Sequence, residues 1–331
     1  MRVDSNTRRK VAIFFVALFI GAGVPAFSQS VTSARELSNA MDNFAGGMAR
    51  SLPFNATMGL NWSDAYIGRF FPSFPPRFGV GVVGGATTMD LAPIDGLLSA
   101  FGFDGELPSL MGRFPIPGVM VEARLGGFFL PFDLGFKIGS IPNVPGSIEV
   151  DYFIVGGDFR YALLHGRRIL PTISVGVGFT HLRGGISTTL DQGFNVDLGS
   201  GRTVIVSDPR VGIDWSTSVL DFKVQASRSL LVVTPYVGLG LSHGWSRVSY
   251  GVDAGIATTG INEGQAREIL GQYGIDLGTG GFSSEVGING WSVRAFGGIS
   301  LNLMVLRLDF TALYNFRDGN LGATIGARIQ I

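Results

Sequence analysis

The stretch MVLRLDFTALYNFRDGNLGATIGARIQI, Met304–Ile331, reads as a β-hairpin with one oily and one polar face. Asp318-Gly319 is a type I′ turn signal. Pairing outward from that turn predicts Phe316 beside Leu321, Tyr314 beside Ala323, Ala312 beside Ile325, Phe310 beside Ala327, Leu308 beside Ile329 and Leu306 beside Ile331, every pair apolar. The alternate pairs, among them Asp309 with Arg328 and Arg307 with Gln330, gather small, polar and charged residues on the other face. Side chains alternate with a period of two, so a slip of one residue would destroy this sorting. Strands of about ten residues with a continuous apolar face suit a transmembrane β-barrel, in which lipid meets one face and a polar lumen the other.

At the other end, Arg8-Arg9-Lys10 precedes an apolar run from Val11 to Val24 and then Pro25-Ala26-Phe27-Ser28. This is the layout of a cleaved signal peptide over residues 1–28, with the mature chain starting near Gln29. No later segment approaches the roughly eighteen uninterrupted apolar residues of a spanning helix. The expected location is therefore the outer membrane of a Gram-negative-type envelope, reached across the inner membrane. The 50 glycines and 15% charged residues fit crowded barrel strands, although secreted β-sandwiches share that composition. The chain has no cysteine, which excludes disulfides, thiolate metal sites and a lipid-anchored N-terminal cysteine. A formal net charge of zero removes the basic footprint expected of a nucleic-acid partner.

Period-two alternation predicts strands near 77–90, 118–128, 131–141, 148–163, 168–186, 210–226, 230–250 and 289–303. With the final hairpin these give an all-β, antiparallel up-and-down barrel of ten strands within residues 53–331. An even number keeps both ends of the barrel on the periplasmic side. The joins at 129–130, 164–167, 227–229 and near Asn302 are short and fall on one side; long joins at 91–117, 188–209 and 251–287 fall on the other. Short periplasmic turns and longer outer loops are the rule for such barrels. A second reading adds a hairpin of Phe54–Leu60 and Ala65–Phe71 around Asn61-Trp62-Ser63-Asp64, giving twelve strands.

Val175-Gly-Val-Gly-Phe-Thr-His181 and Val237-Gly-Leu-Gly-Leu-Ser-His243 look like copies of one strand. Around Pro235-Tyr236-Val237-Gly238-Leu239-Gly240 the chain resembles the small outer-membrane barrels of the OmpW and opacity-protein type, whose strands carry a Pro-Tyr-x-Gly-x-Gly stretch. The resemblance covers one or two strands. It implies architecture and passage of small, rather apolar solutes. The chain departs from that type in its extra strands and in ending on Ile331 where a terminal aromatic residue is usual. Ile331 is apolar and in phase with Ile329, so recognition by the barrel-assembly machinery is expected.

Opposite the apolar positions stand Glu122, Arg124, Asp133, Lys137, Asp158, Arg160, Asp221, Lys223, Arg294, Arg307, Asp309 and Arg328. Ionised groups facing lipid near the midplane would cost about 2–4 kcal/mol each, so this set belongs in the lumen. It reads either as a salt-bridged filling or as a charge-lined pore. The filling is favoured because barrels of about eight strands are already filled by their side chains.

Before the barrel, within 29–52, Ser33 and Glu36 form a capping box, and Leu37, Met41, Phe44 and Met48 follow at helical spacing. This predicts a short amphipathic helix with three competing uses: a plug in the lumen, a helix resting on the inner leaflet, or a periplasmic tether. The 91–117 join carries Leu97, Leu98, Phe101 and Phe103, too greasy to lie bare in water. Capture of an apolar solute and packing on other loops or a partner are the alternatives.

Enzymatic chemistry finds little footing. Of three histidines, His165 sits in a periplasmic turn, while His181 and His243 share the outward phase of Phe179 and Leu241. With Trp245 and Trp291 they read as an interface belt at the lipid headgroups. Ser242 projects away from His243, and no His or carboxylate cluster has metal-ligand spacing, so no catalytic residue, metal or cofactor is expected. The sequence thus predicts a channel or passive transporter for small, apolar solutes. The alternative is a closed structural barrel displaying surface loops for adhesion or host ligands. Membrane lipid is the partner common to both.

Overall fold

A computed structural model describes residues 31–67, 77–95, 112–127, 130–141, 148–166, 170–189, 194–199, 202–259, 262, 264 and 281–331. The signal-peptide segment 1–28 and the loop residues Leu97, Leu98, Phe101 and Phe103 lie outside these. In chain order the elements are a helix α1 (Val31–Ala56) and strands β1 (Phe78–Asp90), β2 (Arg113–Gly126), β3 (Phe132–Ile141), β4 (Ile148–Leu164), β5 (Thr172–Thr189), β6 (Phe194–Gly199), β7 (Arg202–Ser227), β8 (Val233–Thr259), β9 (Gly281–Leu303), β10 (Leu306–Asn315) and β11 (Leu321–Gln330).

Each strand pairs antiparallel with the next in sequence, except that β5 pairs with β7 and not with β6. The ring closes where β1 meets β11, with Val80 opposite Ile329, and where β5 pairs directly with β7, with Val175 opposite Val224. β6 pairs only with the far end of β7 and stands outside the ring, which therefore contains ten of the eleven strands. The twelve-strand reading is overturned. Phe54–Ala56 end the helix, and residues 57–67 run through the lumen with no strand pairing.

The final hairpin forms with its faces sorted as the alternation demands, but its register differs by two residues. Tyr314 pairs with Leu321, Phe310 with Ile325 and Leu306 with Ile329. The loop is therefore the four residues 316–319 rather than Asp318-Gly319 alone. Asn315 explains the difference: its side chain accepts from the Arg317 amide and donates to Asp318, building a wider turn with Gly319 at φ 64°. A shift of two preserves every facing, so composition could not distinguish the two registers.

The joins read as loops at 188–209 and 251–287 contain extended chain. β6 and the start of β7 occupy the first, and the ends of β8 and β9 enter the second. β-Branched runs such as Thr203-Val204-Ile205-Val206 supply strand propensity there. The β7–β8 ladder is interrupted between Ser207 and Arg210, across Pro209, which has no amide hydrogen to give.

Outward residues form an apolar belt, as at Val80, Val82, Leu134, Phe136, Val177, Phe179, Leu239, Leu241, Phe310 and Ile325, all exposed. Inward, the lumen has two storeys. Toward the end away from the short turns, Phe44, Met48 and Leu52 of α1 pack on Met89, Tyr152, Ile154, Leu182, Trp215, Val248 and Tyr250 of the wall. The storey nearer the short turns is polar and charged. Gly244 of β8 admits the helix, since a Cβ there would lie 2.6 Å from Pro53.

Candidate functional site

The charged residues of the wall converge on residues 54–67. α1 ends at Ala56, leaving carbonyls without helical partners. Lys137 Nζ meets them, donating to Ala56 O at 2.7 Å and Met58 O at 2.5 Å. The chain then turns through Gly59 (φ 79°) and Leu60 (φ 55°). A left-handed backbone costs a leucine roughly 1–2 kcal/mol. Three wall groups hold it there: Glu122 accepts from the Leu60 amide, while Lys223 and Arg124 donate to its carbonyl at 3.0 and 3.2 Å.

Farther along, Gln225 donates to Trp62 O at 2.6 Å and Arg160 to Asp64 O at 2.8 Å. Ser227 and Asp133 accept from the amides of Ala65 and Ile67, each at 2.9 Å. The Asp64 carboxylate takes Arg307 and Arg328 at 2.9 and 3.0 Å. The lumen is thus filled by a backbone to which the wall supplies donors at Ala56, Met58, Leu60, Trp62 and Asp64 and acceptors at Leu60, Ala65 and Ile67.

Behind that contact the wall is cross-linked to itself. Asp133 bridges Arg124 at 2.5 Å and Arg160 at 2.8 Å, and Asp158 bridges Arg124 at 2.8 Å and Lys223 at 2.6 Å. Asp221 holds Arg294 at 2.6 Å and accepts from Ser242. One pairing differs from the sequence reading, and one register pair turns its hydrogen bonds elsewhere. Glu122 and Lys137 are register partners, yet each directs its hydrogen bonds to the plug. Asp309 lies opposite Gly326, and Arg328 reaches it diagonally at 2.7 Å, a consequence of the two-residue shift in register.

The N-terminal helix packs against β1, β5, β7, β8 and β9 from within the ring. Leu37 belongs to α1, Met41, Phe44 and Met48 lie toward the wall, and Asp42 accepts from Tyr250 at 2.7 Å. The partners that sequence reasoning missed are Asn55, Trp62, Ser63 and Asp64. Asn55 lies in the last turn of the helix, and Trp62, Ser63 and Asp64 lie in the stretch whose letters also fit the turn of a further hairpin, a reading that points them away from the lumen charges.

His181 and His243 turn outward. His181 lies 3.0 Å from Ser218, and the His243 ring lies 4.4 Å from that of Trp245 and 4.8 Å from that of Trp291. Both tryptophans are exposed, while Ser242 is buried on the inward face and so does not meet His243. His165 packs edge-on to Tyr66 at 5.3 Å, near the short-turn end.

A closed antiparallel ring with an apolar outer belt and a charged, filled lumen defines the class: this is an outer-membrane β-barrel. No family model and no curated protein matches the chain. Among solved structures it is similar to the translocator domain of autotransporter NalP from Neisseria meningitidis, at 8% identity over 91% of this chain and 99% of that one, TM-score 0.34. It is also similar to the outer-membrane protease OmpT from Escherichia coli (10% identity, 78% of this chain, 98% of that one, TM-score 0.40). Ail, the attachment invasion locus protein of Yersinia pestis, matches at 10% identity over 77% and 99%, TM-score 0.26.

Proposed function

We propose that the protein is an outer-membrane channel held closed by its own N-terminal segment, and that small solutes pass when this segment leaves the lumen. One observation carries the reading. The ten-strand ring encloses more space than its own side chains fill, and a single continuous run, residues 39–67, occupies the excess. Vacated, the lumen would present an apolar storey lined by Met89, Tyr152, Ile154 and Leu182, then a charged one. That order suits small solutes with an apolar body, and it assigns no catalytic step to any residue.

A second reading, a closed scaffold that displays its outer wall, is favoured by the lengths of β7 and β8, 26 and 27 residues, far beyond what a bilayer needs. Crosslinking separates the two. Ser51 of the helix lies 3.3 Å from Asn320 at the β10–β11 turn, and the chain has no cysteine of its own. A Ser51→Cys, Asn320→Cys protein in planar bilayers is expected to show channel openings when reduced and to fall silent when the two thiols are joined. Silence in both states, with the barrel folded, would leave the scaffold.

A further inference from the structure

Trp62 occupies a site that the wall builds around it. Its indole is 3% exposed although it belongs to a segment with no regular structure. The ring N–H donates to Glu122 Oε2 at 2.6 Å. The guanidinium carbons of Arg328 and Arg124 lie 4.4 and 5.6 Å from the ring centroid, within cation–π range. Gly79 forms the floor, and a Cβ there would come within 2.7 Å of the six-membered ring. These wall groups come from β1, β2 and β11, on both sides of the seam that closes the barrel.

The wall half of the site has its own anchors. Arg124 is fixed by Asp133 and Asp158, and Arg328 by Asp309, none of which lies in the plug. With the Trp62 side chain alone removed, the pocket therefore keeps its electropositive walls and its glycine floor, and Glu122 stays beside them through the Leu60 amide. Such a cavity selects a flat aromatic molecule with an N–H at its edge. The aromatic face meets the guanidinium groups, and the N–H satisfies a buried carboxylate that would otherwise lose its partner.

We propose that the lumen contains a binding site for free indole-type solutes, flat bicyclic aromatics bearing one N–H donor, which Trp62 fills from within the chain. In the intact protein the solute competes with a tethered indole at an effective concentration in the millimolar range or above, so displacement needs comparable solute. Displacement removes one hydrogen bond and the ring contacts from the set that holds residues 57–67 to the wall. The inference rests on the proposed departure of that segment from the lumen only for its link to opening; the site itself stands on the pocket.

The test uses the full-length Trp62→Gly protein, refolded in detergent and titrated calorimetrically with indole, 1-methylindole and benzothiophene. The last two keep the bicyclic shape but lack the N–H. Indole is expected to bind about tenfold or more tighter than either, because they leave Glu122 Oε2 without a donor. The unaltered protein is expected to show no saturation in the micromolar range. Equal binding of the three, or none to folded Trp62→Gly, overturns the site.

If that variant does not fold, hydrogen exchange of the unaltered protein decides. Millimolar indole should speed exchange of the amides in residues 57–67 while 1-methylindole does not, and no difference between them overturns the proposal. Indole-selective binding in a protein that never conducts would keep the site and remove the channel. Conduction with no preference for indole would do the reverse.

Discussion

Asp133 is wholly shut off from solvent, yet it accepts from Arg124, from two nitrogens of Arg160 and from the Ile67 amide. A carboxylate in such a place is tolerable only while every one of those donors remains. Asp133→Asn keeps the shape but leaves two buried guanidinium groups short of a counter-charge. Removing one partner of a buried pair costs about 3–5 kcal/mol, and urea unfolding of the refolded barrel should register a loss of that size. The Arg247–Glu285 pair is the control. Its groups lie 3.9 Å apart with side chains 74% and 56% exposed, so Glu285→Gln should change stability by less than about 0.5 kcal/mol. Equal effects of the two substitutions would show that the lumen charges see a water-like medium.

At the scale of elements, the helix and the wall fit through small residues. Pro53 rests where Gly244 leaves room, and a small cleft open to solvent, lined by Ala49, Pro53, Ile288 and Ser292, flanks the contact. Gly244→Val would push the end of α1 off β8 without touching the ion pairs around Asp133 and Asp158. Leakier channels in planar bilayers are the expected result, whereas Gly287→Ala, with open space around its Cβ, should leave current unchanged.

The sequence foretold these elements unevenly, for physical reasons. Period-two alternation exposes a strand between lipid and a polar lumen, so β3, β10 and β11 are legible. It fades where both faces meet apolar groups, as where Tyr152 and Ile154 face the helix, and the letters there do not say what covers the inner face. The amphipathic spacing of Met41, Phe44 and Met48 revealed a helix but not its address. Residues 57–67 take their shape from the wall rather than from local preference. The groups that meet Glu122 and Lys137, in residues 56–62, are accordingly invisible to strand periodicity.

The whole molecule is lopsided. At about 3.3 Å per residue and a tilt near 45°, the 26 residues of β7 rise roughly 60 Å, against roughly 30 Å for the 13 of β1. Lipid accounts for an apolar band of about 25 Å. On β8 the exposed apolar residues run from Val237 to Trp245 and give way to charge at Arg247, so the band ends there. The excess of β7, β8 and β9 therefore stands on the side of Arg247 and Glu285, opposite the tight turns at Leu231 and Met304, both almost fully exposed. Short turns are the rule on the periplasmic side, which predicts that the tall wall and the Asp42 end of the helix lie outside. Absence of native cysteine makes this directly measurable. A membrane-impermeant maleimide applied to intact cells should label Glu285→Cys and spare Leu231→Cys and Met304→Cys, and the latter two should react once the outer membrane is broken. Labelling of Leu231→Cys on intact cells would invert the molecule. It would turn the tall wall toward the periplasm and place the ring of His243, Trp245 and Trp291 at the inner leaflet.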